Sequence, residues 1–131
     1  MPLPKIDSQI TFLYTLDLDA SAHFYGTILE LPLWLDQGGC KIYQINPAAY
    51  VGICRAGTIE AQRVSQQPNV IFTLVTEDVD AFFAALVERG ARVEQWPKVN
   101  ERYAIYNGFV RDPSGYLIEI QRFLPRDPVS S

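Results

Sequence analysis

Hydrophobic and polar positions fall into the same order twice along this chain. From Gln9 to Leu16 apolar and β-branched residues alternate, with Ile10, Phe12 and Tyr14 on one side of the pleat and Thr11, Leu13 and Thr15 on the other. That pattern predicts a strand covered on both faces. Asp17-Leu18-Asp19-Ala20-Ser21 then supplies capping side chains, and Ala22, Tyr25, Ile28 and Leu29 recur at helical spacing until Pro32 interrupts them. Three short strand patterns follow, Leu33 to Asp36, Cys40 to Ile45 and Tyr50 to Cys54, punctuated by Gly38-Gly39 and Asn46-Pro47. The unit reads βαβββ.

The polar stretch from Arg55 to Pro68 carries no sustained period and is expected to be a connector. Beyond it the order repeats. Asn69 to Val75 predicts a strand, Glu77-Asp78-Val79-Asp80 a helix start, and Phe82, Phe83, Leu86 and Val87 a helix face closing at Gly90. Strands are expected near Arg92 to Trp96, Tyr103 to Val110 and Tyr116 to Arg122. Asp17-Leu18-Asp19-Ala20 and Asp78-Val79-Asp80-Ala81 agree at three of four positions across an offset of 61 residues. The same offset sets Ile10 on Ile71, Phe12 on Thr73 and Leu13 on Leu74, so strands and helix starts superpose together. The expected fold class is α+β, with two tandem βαβββ modules at about 6–55 and 69–124, a connector at 56–68 and a short C-terminal tail, in one domain over 1–131. A single helix covers one face of a four-stranded sheet, so the uncovered faces of the two modules are expected to enclose a cleft.

Composition narrows the classes. With 131 residues and 48% hydrophobic content the chain buries enough apolar surface for one compact unit. Eleven basic against fifteen acidic side chains, with no basic stripe, argue against nucleic acid. No stretch approaches the roughly 20 apolar residues of a membrane span, and the opening lacks an apolar signal core, so a cytoplasmic protein is expected. Cys40 and Cys54 are too few for a disulfide framework. A three-residue loop at 46–48 would set them directly opposite each other, open to reading as a redox pair, soft metal donors or two small buried hydrophobes; the last is preferred.

Near the end, Asp112-Pro113-Ser114-Gly115 predicts a tight turn, after which Leu117, Glu119 and Gln121 share one face of a strand and Tyr116, Ile118 and Ile120 the other. Glu119 thereby points away from the greasy face. Zinc or iron catalysis wants about three converging donors, imidazole foremost, and the single histidine, His23, falls in the first predicted helix. There is no Gly-x-Ser-x-Gly elbow and no phosphate-binding glycine loop. Aromatic residues are plentiful instead. Arg55 and Arg111, at strand ends, are candidates for contact with an acidic substituent.

The run from Asp17 to Leu29, Asp-Leu-x-x-Ser-x-x-Phe-Tyr-x-x-Leu, and the run from Asp112 to Glu119, Asp-Pro-x-Gly-x-x-Ile-Glu, together resemble the vicinal oxygen chelate superfamily of glyoxalases, bleomycin-resistance proteins and extradiol dioxygenases. The resemblance implies an open, cupped mixed β-sheet with helices on the convex side, and assembly as a homodimer. In metal-using members it implies ligands at positions matching Ile10, Gly52, Ile71 and Glu119, of which only Glu119 carries a donor. No metal site and no cofactor are therefore expected, a divalent metal being disfavoured. The preferred reading is metal-independent binding of an aromatic or hydrophobic small molecule by Phe12, Tyr14, Trp34, Tyr50, Gly52, Cys54, Trp96, Tyr106 and Glu119. The alternative is a lyase, isomerase or dioxygenase using Glu119 as an acid/base or in an atypical metal site. No membrane or nucleic-acid partner is expected.

Overall fold

The computed structural model describes residue 2 and residues 4–57 and 70–125, so nearly all of the expected connector and the end of the C-terminal tail lie outside the described residues. The chain divides into two compact units, residues 1–67 and 68–131. Each is a βαβββ module with an open four-stranded mixed sheet, as the repeat predicts.

In module one, β1 (Gln9–Thr15) leads to α1 (Leu18–Ala22), and three strands follow: β2 (Leu33–Asp36), β3 (Cys40–Asn46) and β4 (Ala49–Arg55). The sheet order is β1-β4-β3-β2, with β1 and β4 parallel. Asp17 caps α1 by accepting from the Ala20 amide at 3.1 Å. Ser21 Oγ donates to Thr15 Oγ1 at 2.8 Å, and Thr15 Oγ1 donates to the Asp17 carbonyl at 3.0 Å, so two buried hydroxyls satisfy each other and pin the strand end to the helix. The helical pattern expected through Leu29 continues as a wider, π-helical segment over His23–Ile28, closed by the Leu29 amide on the Phe24 carbonyl. One side of the sheet buries Leu13, Tyr43, Val51 and Ile53 with the helical residues Leu18, Phe24 and Tyr25. The other side is not covered as the alternation suggested: Phe12 is 46% exposed and Tyr14 37%.

Module two repeats this plan with β5 (Ile71–Val75), α2 (Val79–Glu88), β6 (Arg92–Asn100), β7 (Ile105–Arg111) and β8 (Leu117–Phe123), in the order β5-β8-β7-β6. Asp78 accepts from the Ala81 amide at 3.0 Å, matching Asp17 across the repeat, and Val79 is buried as Leu18 is. Strand β6 runs past the expected end at Trp96. It passes through Pro97 because β6 is an edge strand whose register shifts between Gln95 and Lys98, so the missing N–H costs no ladder bond there. Val79, Phe83 and Leu86 of α2 form a core with Val110, Ile118 and Ile120. The parallel pairings coincide across the repeat: Phe12 faces Gly52 as Thr73 faces Glu119.

The turn into β8 is built by Asp112. Its Oδ1 accepts from the amides of Ser114 at 3.0 Å and Tyr116 at 2.8 Å, and Gly115 takes the φ of 92° that closes the turn. Arg111 adds a bond from Nη1 to the Gly115 carbonyl at 2.7 Å. Because Asp112 is only 2% exposed, Asp112→Ala leaves two amides without their acceptor and is expected to cost about 2 kcal/mol, while Asp112→Asn, which keeps an oxygen there, costs roughly half as much. Urea unfolding of both variants measures the difference.

Candidate functional site

The face of each sheet opposite its helix carries the candidate residues, and the two modules furnish it differently. In module one, Ile10, Phe12 and Tyr14 of β1 share this face with their partners Tyr50, Gly52 and Cys54 of β4. Trp34 closes against Tyr50 with ring centroids 4.8 Å apart. A Cβ built on Gly52 would overlap the Phe12 ring, which lies across the glycine backbone. The space above Gly52 is thus filled from within the module rather than left for a ligand. The result is an aromatic shelf of Phe12, Tyr14, Trp34 and Tyr50.

Cys40 and Cys54 stand directly opposite each other, as the hairpin spacing predicts, and are joined in a disulfide with an S–S distance of 2.11 Å. This corrects the preferred reading of two free buried thiols. The opposition was legible in the sequence; what it leaves open is the bond, although facing residues of an antiparallel pair bring their Cβ atoms within bridging reach.

In module two the corresponding face is polar at its centre. Glu119, 9% exposed, accepts from Thr73 Oγ1 on Oε1 and from Asn107 Nδ2 on Oε2, each at 2.8 Å. The sequence suggested no partner for Glu119; Thr73 and Asn107 are those partners. Thr73 was legible as the repeat equivalent of Phe12, whereas Asn107 depends on the β7–β8 register. Gln121 lies across the strand pair from Asn107 and beside Val75. Among the described residues, Asn107 Oδ1 and Gln121 Oε1 are buried side-chain oxygens with no donor. Apolar residues flank this centre: Ile71 is 51% exposed, and Val75 and Phe123 each 61%. A groove of about 670 Å³ runs along the ends of β5 and β8, lined by Val75, Thr76, Glu77, Arg122, Phe123, Leu124 and Pro125.

Other expected site residues lie elsewhere. Trp96 packs on Phe83 of α2 at 5.6 Å, and Tyr106 donates to Asp80 Oδ1 at 2.6 Å, so both sit on the helix side of the module-two sheet, not with Glu119. The bulge in β6 and the helix-facing parity of β7, which Tyr106 shares with buried Val110, put them there. The bond to Asp80 also raises the Tyr106 hydroxyl above its ordinary pKa. Arg111 pairs with Glu94 through two bonds of 3.1 and 3.2 Å, which hold the Glu94 carboxyl below its usual range, and it is committed to the turn as well. His23 is exposed.

Ile10, Gly52 and Ile71 offer no side-chain donor to a metal, and each oxygen of Glu119 accepts one hydrogen bond, from Thr73 and from Asn107. Among the described residues no three His, Cys, Asp or Glu side chains gather around a common point.

Residues 8–120 match the family model of the glyoxalase/bleomycin resistance protein/dioxygenase superfamily, and the chain belongs to that family. A search among curated proteins gave no sequence match. Solved structures share the fold: a glyoxalase/bleomycin resistance protein/dioxygenase from Nocardioides (TM-score 0.76, 20% identity, 97% of this chain and 88% of that one) and a glyoxalase-related enzyme from Fulvimarina pelagi (0.72, 20%, 86% and 85%). A lactoylglutathione lyase from Agrobacterium tumefaciens is similar as well (0.70, 20%, 91% and 95%). Among the described residues no helix is long and apolar enough to cross a membrane.

The disulfide bears on the aromatic shelf, because Tyr14 is the β1 partner of Cys54. The bridge spans a sequence separation of 14 residues, so replacing both cysteines by serine is expected to lower stability by about 2–3 kcal/mol. Urea unfolding of wild type, with and without reductant, and of the double variant checks this.

Proposed function

We propose that the protein binds an aromatic or hydrophobic small molecule without a metal. The observation that carries the reading is the Phe12 ring laid across Gly52: where metal-using relatives are expected to hold a donor, this chain holds an aromatic surface. Rings such as Phe12, Tyr14, Trp34 and Tyr50 bind planar ligands through large apolar contact with small loss of side-chain freedom. On module two, Glu119 offers a polar contact of its own. A homodimer is proposed with it, on the family's habit alone.

A second reading has support in one arrangement. Thr73 and Asn107 hold Glu119 in a fixed position, as a general acid/base requires, and the chain would then be a lyase, isomerase or dioxygenase of this family. Glu119→Gln separates the two. Under the binding reading ligand affinity changes by less than about tenfold, the worth of one altered hydrogen bond; loss of nearly all of a measured turnover favours the enzyme. Metal analysis of purified protein is expected to find far less than one transition-metal ion per chain, and one tightly held ion per chain overturns the proposal. Size-exclusion elution as a monomer at micromolar concentration counts against the dimer. In a reducing cytoplasm the Cys40–Cys54 bond persists only if it is continually reformed, so thiol trapping at lysis reads the compartment.

A further inference from the structure

Cys40 and Cys54 are the only cysteines of the chain, and their bond lies on the face of the module-one sheet that carries Tyr14. The backbone holds the pair in place without it. On one side the ladder continues through Lys41 with Ile53 and Ile42 with Gly52; on the other the Arg55 amide donates to the Gly39 carbonyl at 2.7 Å. Strand β4 is fastened to β1 beyond the bridge as well, by the Ala56 amide on the Thr15 carbonyl at 2.8 Å. Module two keeps the same register with no bond at all: Asn107 stands opposite Gln121 across β7 and β8, where module one has Cys40 opposite Cys54. Opening the bridge therefore leaves two thiols facing each other, at the high effective concentration that lets the bond reform.

The two sulfurs differ in access. Cys54 is 6% exposed, on a strand flanked by two others, whereas Cys40 is half-buried and follows residues 33–39, which are exposed throughout. A Cβ built on Gly38 or Gly39 would meet nothing within 4 Å, so the approach to Cys40 from that loop is open. Tyr14 is the neighbour that feels the bond. It is the β1 partner of Cys54, on the same face and one strand spacing of about 5 Å away. Bonded sulfurs share one covalent distance, whereas two thiols part to van der Waals contact. Of the side chains beside the pair on this face, Tyr14 is 37% exposed and Ile42 only 4%, so the ring that can give way is Tyr14.

We propose that the Cys40–Cys54 bond is a redox switch on the aromatic shelf, worked by a low-molecular-weight thiol such as glutathione. A thiolate of that class attacks Cys40 Sγ: its sulfur bonds to Cys40, the Cys40–Cys54 bond breaks with its electron pair on Cys54, and Cys54 takes up a proton from water. A second thiolate attacks the outer sulfur of the mixed disulfide and releases Cys40, which is protonated in turn. Two small thiols are oxidised to one small-molecule disulfide, and the protein disulfide is reduced to a dithiol; the small-molecule disulfide drives the reverse. Cys54 leaves into apolar surroundings, which slows the exchange, and the ladder on either side keeps it reversible. The switch acts on the position of Tyr14 within an unchanged fold, and it stands whether or not the shelf binds a ligand.

Glutathione buffers graded from oxidised to reduced test it on the full-length, isotope-labelled protein, with thiol trapping and mass spectrometry to count thiols and NMR to follow the fold. The expected result is a single two-electron transition between bridged and dithiol protein, reversed by oxidised glutathione. The backbone amides of β3 and β4 keep their native dispersion in both forms, and Tyr14 shifts most among the aromatic rings, with Trp96 and Tyr106 unmoved. Cys54→Ser, which retains Cys40, is expected to form a mixed disulfide with oxidised glutathione about tenfold faster than Cys40→Ser, which retains Cys54. A bridge that persists in fully reduced glutathione overturns the proposal. So does reduction that collapses the β3–β4 amide signals, which makes the bond a structural staple, and so does reduction that leaves Tyr14 unmoved. Equal rates for the two single variants overturn Cys40 as the point of entry.

Discussion

One helix covers one face of a four-stranded sheet, and among the described residues each module packs one helical stretch on its sheet. Everything distinctive about the chain follows from what is done with the face left over. In module one that face is furnished with rings and a covalent cross-link; in module two it is furnished with a carboxylate, two amides and a hydroxyl. The helix faces, by contrast, are filled with interchangeable apolar bulk and carry the same capping device twice, Asp17 and Asp78. The two modules thus differ on one side of each sheet and agree on the other.

Local rules made the fold legible. Aspartates three residues before the amides they cap, prolines and glycines between short alternating runs, and an offset repeated in both strand and helix all point to the same architecture, and that agreement across levels is what a well-specified chain shows. The departures arise where tertiary contacts overrule local pattern. A regular helix was expected through Leu29, but that segment widens; β6 was expected to stop before its proline, but the sheet edge tolerates Pro97.

The candidate site was less legible because it depends on register and on side-chain direction. Glu119 was placed on the correct face by alternation alone, yet its partner Asn107 belongs to another strand and becomes its neighbour only through the β7–β8 pairing. Trp96 and Tyr106 depend on the same things: a bulge and strand parity turn them to the helix side of the sheet, away from Glu119. The cysteines fell between these cases. Their pairing could be derived from a loop length, but whether two opposed sulfurs are bonded is not written in spacing.

The correspondence of Cys40–Cys54 with Asn107–Gln121 has a consequence for how a molecule would experience this protein. The backbone repeats, but the two halves are chemically unlike at the same register position: one is sealed by a bond between its own atoms, the other carries two opposed side-chain amides. A duplicated scaffold therefore carries two chemically different surfaces, one on each module: rings on the first, a hydrogen-bonded carboxylate on the second.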